Sequence, residues 1–580
     1  MHIGKSPLKI SQRTAANGED ELPETLHPVL RRVYLARGVT TAEGLGLGLE
    51  QLLPAAGLKG IEAAVALLES VLEAQGRILV VGDYDADGAT STALALLALQ
   101  AFGCEKVGYL VPNRFEFGYG LSPEIVELAA RQQPDLIITV DNGIASISGV
   151  SRAAELGIPV LVTDHHLPGE QLPAAAAIVN PNQPGDGFAS KNLAGVGVIF
   201  YLLVALRARL RQAGWFERCG LAVPNMAEWL DLVVLGTVAD LVVLDQNNRI
   251  LVEQGLRRIR AGRCRPGIEA LIRLAGRDQS RLVASDLGYA IGPRLNAAGR
   301  LEDMGLGIEC LLADDPSAAL QMAVELDRLN RTRREIEQQM QEQAQQLLQQ
   351  LHREMQGEIP LALCLYDPNW HQGVVGILAS RIKEKYHRPV IAFADGGDGI
   401  LKGSARSVPA LHIRDLLERI ASRHAGLIER FGGHAMAAGL SLPKQNLERF
   451  RQAFEAEAAN WLDPAELVGE LLSDGELEAE ALGLELAQLL RQAGPWGQGF
   501  PAPLFDGRFQ VLQQRVVGER HLKLRLRTEQ GDAELDGIAF NQAEMGELAS
   551  QVRLAYRLDV NEFRGRVQPQ LVVEYIQSTT

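Results

Sequence analysis

The chain has no excess of positive charge. Over 580 residues its net charge is −15, so the molecule as a whole is not a basic nucleic-acid binder. Any nucleic-acid site must be a local basic surface or be mediated by metal. Cysteine is scarce. Cys104, Cys219, Cys264, Cys310 and Cys364 are scattered, odd in number and form no CxxC pair. That argues against a disulfide framework and against a zinc ribbon, and suits a reducing cytoplasm. Long apolar runs are also missing. The most hydrophobic window, Met226 to Leu244, carries Glu228, Asp231 and Asp240, which no membrane span would hold. The opening MHIGKSPLKISQR lacks the apolar core of a signal peptide. The expectation is a cytoplasmic protein without a membrane partner. Hydrophobic content of 47% is that of an ordinary globular protein, and the length suggests roughly three or four domains.

What is present is organised around Arg77 to Ala89, RILVVGDYDADGA. The apolar run Ile78 to Val81 ends in Gly82, and Asp83, Asp85 and Asp87 follow at alternate positions before a helical pattern from Thr90 to Phe102. This reads as a buried strand that stops, turns and feeds a helix. Carboxylates packed so closely repel one another, and a divalent cation relieves the repulsion. An EF-hand loop opens similarly but needs a glutamate at its twelfth position. That position is Leu94, and a strand rather than a helix enters the loop.

Residues 1–60 read as an arm and a small helical prelude. From 61 to 315, apolar strand patterns at Ile78–Val81, Val107–Val111, Leu136–Val140 and Val160–Thr163 alternate with helical stretches. The alternation predicts a mostly parallel sheet with helices on both faces, whose ligands sit at the carboxyl ends of the strands. Asp83 and Asp85, Asp141 in ITVDNG, and Asp164-His165-His166 in LVTDHH stand at such ends, and Asp240 in LGTVAD closes another apolar run. Asp315 with Pro316 starts a helix that meets no further proline or glycine until Gly357. Residues 316–356 are therefore a connector, roughly 60 Å long at 1.5 Å per residue. Its Arg328, Arg331, Arg333 and Arg334 form either a solvated face or a face towards a nucleic-acid groove. A second α/β unit spans 357–464, with the glycine-rich segments GSARS and FGGHAMAAG. The last region, 465–580, alternates. In His521 to Arg527, leucines take one strand face while Lys523, Arg525 and Arg527 take the other. With Arg508, Arg515, Arg553, Arg557, Arg564 and Arg566 nearby, this is the expected basic surface, on a small β-barrel of the OB kind.

Asp83, Asp85, Asp141, His165 and Asp240 make an oxygen-rich set with one imidazole. Such a set favours Mg²⁺, or Mn²⁺ where histidine joins it, and can hold two ions for an in-line displacement at phosphorus. In their order, DYDADG, VDNG, TDHH and GTVAD resemble the four motifs of the DHH phosphoesterases. GSARS and GGHAMAAG resemble the DHH-associated domain that closes over substrate. The insertions, long connector and barrel narrow the resemblance to the bacterial RecJ family of single-stranded-DNA-specific exonucleases, over nearly all of the chain after residue 60.

The resemblance implies an α/β fold: a DHH-type parallel-sheet domain, connector helix, DHH-associated domain and OB barrel. It implies Asp83, Asp85, Asp141, His165 and Asp240 as metal ligands for two Mn²⁺ or Mg²⁺ ions. His166 is placed beside the ions, against the scissile phosphate or orienting a ligand, and Asp164 supports the histidines. Asp87 has no assigned role. Leu79 stands about where relatives with small substrates carry a further histidine, so that ligand is missing. Arg114, Arg294, Arg300, Ser404 and Arg406 are candidates for holding the 5′-phosphate or the strand, alongside Gly432, Gly433 and His434. Each arginine reads equally well as an ordinary salt bridge, and Trp370 and His371 are either structural or a substrate wall. The implied activity is 5′→3′ degradation of single-stranded DNA to 5′-mononucleotides, in repair and recombination. Single-stranded-DNA-binding protein and a RecQ-type helicase are the implied partners. The alternatives are a phosphodiesterase of short oligonucleotides or cyclic dinucleotides, and an inactive DNA-binding scaffold. A dinucleotide needs neither barrel nor connector, and a dead copy has no reason to keep buried like charges.

Overall fold

The computed structural model describes residues 8–14, 19–112, 120–354, 360–463, 467–529, 531, 534–563 and 565–578. Arg114 and Arg564 lie outside them. The chain forms two compact units. One comprises residues 13–330 and 473–580, and the other residues 331–472 with the N-terminal strand Leu8–Gln12. The division falls inside the connector helix, between Asn330 and Arg331, rather than at its start.

In the first unit a parallel sheet is built from β1 (Ile78–Val81), β2 (Val107–Leu110), β3 (Leu136–Val140), β4 (Val160–Thr163) and β5 (Ala177–Val179). Its order is β2-β1-β3-β4-β5. β1, β3 and β4 are buried at every position, as expected of a parallel strand covered on both faces. Leu79 belongs to this core. Three helices carry the architecture past the sheet: α1 (Ala86–Ala101), α2 (Gly195–Gln212) and α3 (Leu230–Ala239). α1 is rich in Ala, Gly, Ser and Thr and is buried almost all round, because small side chains let neighbouring helices approach closely.

The alternation expected across 61–315 is only half observed. Among the described residues no strand lies between Val179 and Leu363. The run LDLVVLGTVA, which closes on Asp240, is helix α3 rather than a strand. It is apolar at nearly every position, and such a run has no period to separate helix from strand. Helix α4 (Gly292–Leu301) follows, then α5, Pro316–Glu354.

In the second unit, β6 (Leu363–Tyr366), β7 (Val390–Asp395), β8 (Ile400–Arg406), β9 (Arg430–Gly433) and β10 (Ala437–Pro443) form a mixed sheet of order β9-β10-β8-β7-β6. Helix α6 (Val375–Tyr386) packs on it, and Met340, Ala344 and Leu348 of α5 join the core between them. Leu8–Gln12 pairs with Gly469–Ser473.

The C-terminal strands β11 (Phe505–Val517), β12 (His521–Thr528), β13 (Glu534–Ala539), β14 (Gln551–Phe563) and β15 (Arg566–Ser578) close a barrel of order β11-β12-β13-β15-β14. β13 and β15 pair in parallel and the other pairs are antiparallel. Closure leaves no sheet edge. Leu522, Leu524 and Leu526 point into the barrel core, as the alternation predicts.

Candidate metal centre and strand-binding residues

The acids gather where the parallel strands end. After β1 the chain turns at Asp83 and Asp85. Asp85 caps α1, its Oδ1 accepting from the Asp87 N–H at 2.9 Å and the Gly88 N–H at 3.0 Å. Gly88 is forced by proximity, since a Cβ there would lie 2.7 Å from the Asp83 carbonyl oxygen. After β3 the backbone swings into the left-handed region at Asp141, φ +61°, a conformation that Asp tolerates better than most residues. After β4, Asp164 organises the DHH tripeptide. Its Oδ1 accepts from the N–H groups of His165 (2.7 Å) and His166 (3.0 Å) and faces His166 Nδ1 at 2.8 Å, and its Oδ2 accepts from the Ile144 N–H at 2.9 Å. Asn180 and Asn182 donate to the carbonyls of His166 and His165. Asp240 is the C-terminal cap of α3.

These elements bring Asp83, Asp85 and Asp141 within 4.8 Å of one another by their ligand atoms. Asp141, His165 and His166 form a second such group, and Asp87, His165 and Asp240 a third. His165 Nε2 lies 3.1 Å from Asp141 Oδ1 and 3.5 Å from Asp240 Oδ2. Burial, and then the neighbouring carboxylates, hold Asp141 and Asp240 well above the ordinary carboxylate range. Burial, helped by His166, pushes His165 down to about 4, so its imidazole is neutral and carries a lone pair. For His166 the downward push of burial is overcome by the Asp164 hydrogen bond and charge, and its value rises to about 9. Asp164 moves down against its own burial, through the His166 hydrogen bond and charge and the backbone N–H groups it accepts from. The donor chemistry fits Mn²⁺ or Mg²⁺: hard carboxylate oxygens, one neutral imidazole, and overlapping groups that share Asp141 and His165. The like charges here are relieved either by protonation, which the raised Asp141 and Asp240 express, or by a cation among them.

Some supporting residues were not anticipated. Asn296 on α4 accepts from the Ala86 N–H at 2.7 Å, and Gly299 of the same helix lets it sit on the Tyr84 carbonyl. Asn142 donates to the carbonyls of Val81 and Val140, tying the ends of β1 and β3 together. Asn296 lies inside GPRLNAAGR, a segment read for its arginines alone. Arg300 is one turn along α4 from Asn296, on the same helical face. Arg294 takes the salt-bridge reading rather than the strand-contact one. It is buried and pairs with Asp327 of α5 at 2.8 Å, so it fastens the connector.

In the second unit, Arg406 of β8 is mostly buried, and burial lowers its value. Its guanidinium donates to Ser380 Oγ (3.1 Å), Ser404 Oγ (3.0 Å) and the Ala405 carbonyl (2.8 Å), and no carboxylate among the described residues pairs with it. The first turn of α6 abuts it, since a Cβ on Gly376 would lie 3.0 Å from Ser404 Oγ and 3.1 Å from Arg406 Nη2. Across the sheet, Ser404 stands opposite Gly439, which stands opposite Gly432. The two glycines have open space where side chains would be, which leaves a bare strip beside the guanidinium. Gly433 has φ +145° and touches β10, so it closes the hairpin on which His434 is exposed. Trp370 is buried and donates to Gln343 Oε1 at 2.9 Å, a structural role. His371 Nδ1 accepts from the Gly373 N–H.

Two basic faces carry less charge than the sequence suggested. On α5, the exposed Arg328 pairs with Glu325 and Glu302, which favours the solvated-face reading for it, whereas Arg333 is largely buried against Glu337 and fits neither reading. On the barrel, β13 sets Glu534 and Asp536 against β12. Lys523 meets Asp536 at 3.2 Å, Arg525 meets Glu534 at 2.9 Å and Asp536 at 2.8 Å, and Arg527 meets Glu534 at 3.4 Å. Three cations thus face two carboxylates. Arg508, Arg515 and Arg566 are exposed, with no ion pair among the described residues.

A parallel sheet whose strand ends gather acids and a DHH tripeptide, followed by a mixed-sheet domain with a glycine-rich hairpin, defines the class as a DHH phosphoesterase. The DHH family, N-terminal domain matches residues 77–237, the DHHA1 domain residues 359–460 and the RecJ OB domain residues 473–575. The single-stranded-DNA-specific exonuclease RecJ of Escherichia coli is 56% identical over 577 residues, covering 99% of both chains. RecJ of Thermus thermophilus, solved in complex with Mn²⁺, superposes with a TM-score of 0.79 at 34% identity, over 96% of this chain and 76% of that one. Its Mg²⁺ complex gives a TM-score of 0.72 at 31% identity, over 96% and 75%. The chain belongs to the RecJ family.

Proposed function

We propose that this protein is a divalent-metal-dependent exonuclease that hydrolyses single-stranded DNA from a 5′ end and releases 5′-mononucleotides. The observation that carries the reading is the meeting of Asp83, Asp85, Asp141, His165 and Asp240 at the carboxyl ends of the strands. Those five would hold two Mn²⁺ or Mg²⁺ ions. When bound, such a pair lowers the pKa of water and neutralises charge on the oxygens of an in-line displacement at phosphorus. The chain's own groups prepare that chemistry. His165 offers a neutral nitrogen, Asp164 holds both histidine backbones in place, and its hydrogen bond and charge raise His166. A protonated His166 would suit a phosphate oxygen gaining negative charge in the transition state.

For the strand, the buried Arg406 with Ser404 makes an anion site of the bidentate kind arginine favours, and the bare Gly432–Gly439 strip lets a backbone lie close. We assign that site the 5′-phosphate or a neighbouring phosphate of the strand, with His434 at its hairpin end; in the other unit, Arg300, on the helix that carries Asn296, is assigned a strand contact of its own. Lys523, Arg525 and Arg527 contribute less to strand binding than their number implies, because their carboxylate partners already hold them. Single-stranded substrate implies partners that expose and coat it, which fits a single-stranded-DNA-binding protein and a RecQ-type helicase. No helix among the described residues is long and apolar enough to cross a membrane, and its described cysteines are free thiols, which suits the cytoplasm.

The test is turnover of a long single strand and of a dinucleotide across a metal titration. Mn²⁺ should support degradation of the long strand, while Ca²⁺, with its longer bonds and higher coordination number, should not. Preference for the dinucleotide, or full turnover with Ca²⁺, would remove the reading.

A further inference from the structure

Asp87, the third acid of DYDADG, is among the most buried charged groups in the protein, 1% exposed. Its Oδ2 accepts from the Gly195 N–H at 2.6 Å and its Oδ1 from the Val196 N–H at 2.9 Å. Both oxygens are therefore engaged by the first turn of α2. Two bare positions surround this contact. A Cβ on Gly195 would lie 2.6 Å from Asp141 Cβ and 2.7 Å from Asp141 Oδ1. A Cβ on Gly236 of α3 would lie 2.8 Å from Asp87 Oδ1 and 2.3 Å from Thr90 Oγ1. Gly236 also supplies the carbonyl that receives the Asp240 N–H at 3.0 Å. One carboxylate thus sits at the junction of α1, α2 and α3. Through Gly195 it fixes the backbone against Asp141, and through Gly236 it lies one turn from Asp240.

We infer that Asp87 is a positioning residue: it docks the α2 N-terminus and the α3 glycine turn around itself, and so sets where Asp141 and Asp240 present their oxygens, while standing outside the ligand set. The local chemistry favours this over direct ligation. Both oxygens of Asp87 are already taken by backbone N–H groups at the start of a helix, which ties the side chain to α2 and offsets part of the cost of its burial. Groups that orient metal ligands from behind commonly change metal affinity by about 10–100-fold when altered.

The inference rests on the two-ion reading above, and the same experiment separates the two. Mn²⁺ binding is measured by electron paramagnetic resonance on the full chain, wild type, Asp87→Asn and Gly195→Ala, with steady-state kinetics well below each unfolding midpoint. Amide exchange at residues 194–197 is followed in the metal-free proteins. Asp87→Asn keeps size and one acceptor. Gly195→Ala keeps every acid and displaces Asp141 by one methyl group. The expected result is unchanged Mn²⁺ stoichiometry in both variants, affinity weaker by about tenfold or more, kcat lowered with KM for the strand unchanged, and faster exchange of the Gly195 and Val196 amides in Asp87→Asn. Loss of one bound ion in Asp87→Asn, with Gly195→Ala behaving as wild type, would make Asp87 a ligand and overturn the inference. Wild-type Mn²⁺ affinity and kcat in Asp87→Asn, with only a lower unfolding midpoint, would reduce it to a packing residue. If Gly195→Ala does not fold, Asp87→Asn alone decides, by stoichiometry and affinity. A wild-type chain that binds no Mn²⁺ would remove the two-ion reading itself.

Discussion

Asp85 caps α1 through the Asp87 and Gly88 N–H groups while standing among the metal acids, so two substitutions can divide its roles. Asparagine caps a helix about as well as aspartate but is a poor ligand for a hard cation. Asp85→Asn should keep wild-type stability and lose turnover by several orders of magnitude. Asp85→Ala should lose the same turnover and, in addition, about 1 kcal/mol of stability for the missing cap. Urea unfolding beside a nuclease assay checks both. Near-wild-type turnover in Asp85→Asn would remove it from the ligand set. The acids themselves were legible because each ends an apolar run or opens a helix. The glycines that let helices reach them were not. Gly195 and Gly236 matter only through what packs against them, Asp141 and Asp87, which are far away in sequence.

At the scale of elements, the barrel strand β12 shows what pattern can and cannot tell. Its alternation placed three leucines inside and Lys523, Arg525 and Arg527 outside, as observed. Their charge balance depended on register, which sets Arg525 opposite Asp536 and Arg527 opposite Glu534, and register is not readable from one strand. Three independent phosphate contacts would change the slope of log affinity against log salt by about 2, at roughly 0.7 each on single strands. With these cations already paired, the triple alanine variant should change it by less than about 0.7, measured on a long strand across a salt series. The connector α5 carries the opposite lesson. Its length was plain from the absence of glycine and proline, but its fastening was not. Arg294 lies in a segment read for strand contact and instead pairs with Asp327. Asp327→Ala should destabilise the protein by about 3–5 kcal/mol, the usual cost of removing one partner of a buried pair. A change under about 1 kcal/mol in chemical denaturation would mean that water already screens the pair.

Over the whole molecule, the α/β class, the barrel and the order of the motifs followed from period and punctuation. The extent of the sheet did not. Every residue from Leu230 to Val238 is buried, and a segment covered on all sides shows no polar face from which to read its period. The acidic net charge likewise hid the function, because the chemistry rests on a handful of buried carboxylates rather than on a basic surface. The central claim is that these carboxylates work on a single strand entered from its 5′ end. The most direct test is a time course with a long single strand labelled at its 5′ terminus, in the presence of Mn²⁺. The account predicts that the label appears at once as a mononucleotide while the remaining strand is still long. Label retained on a steadily shortening strand, or released first in internal fragments, would contradict it.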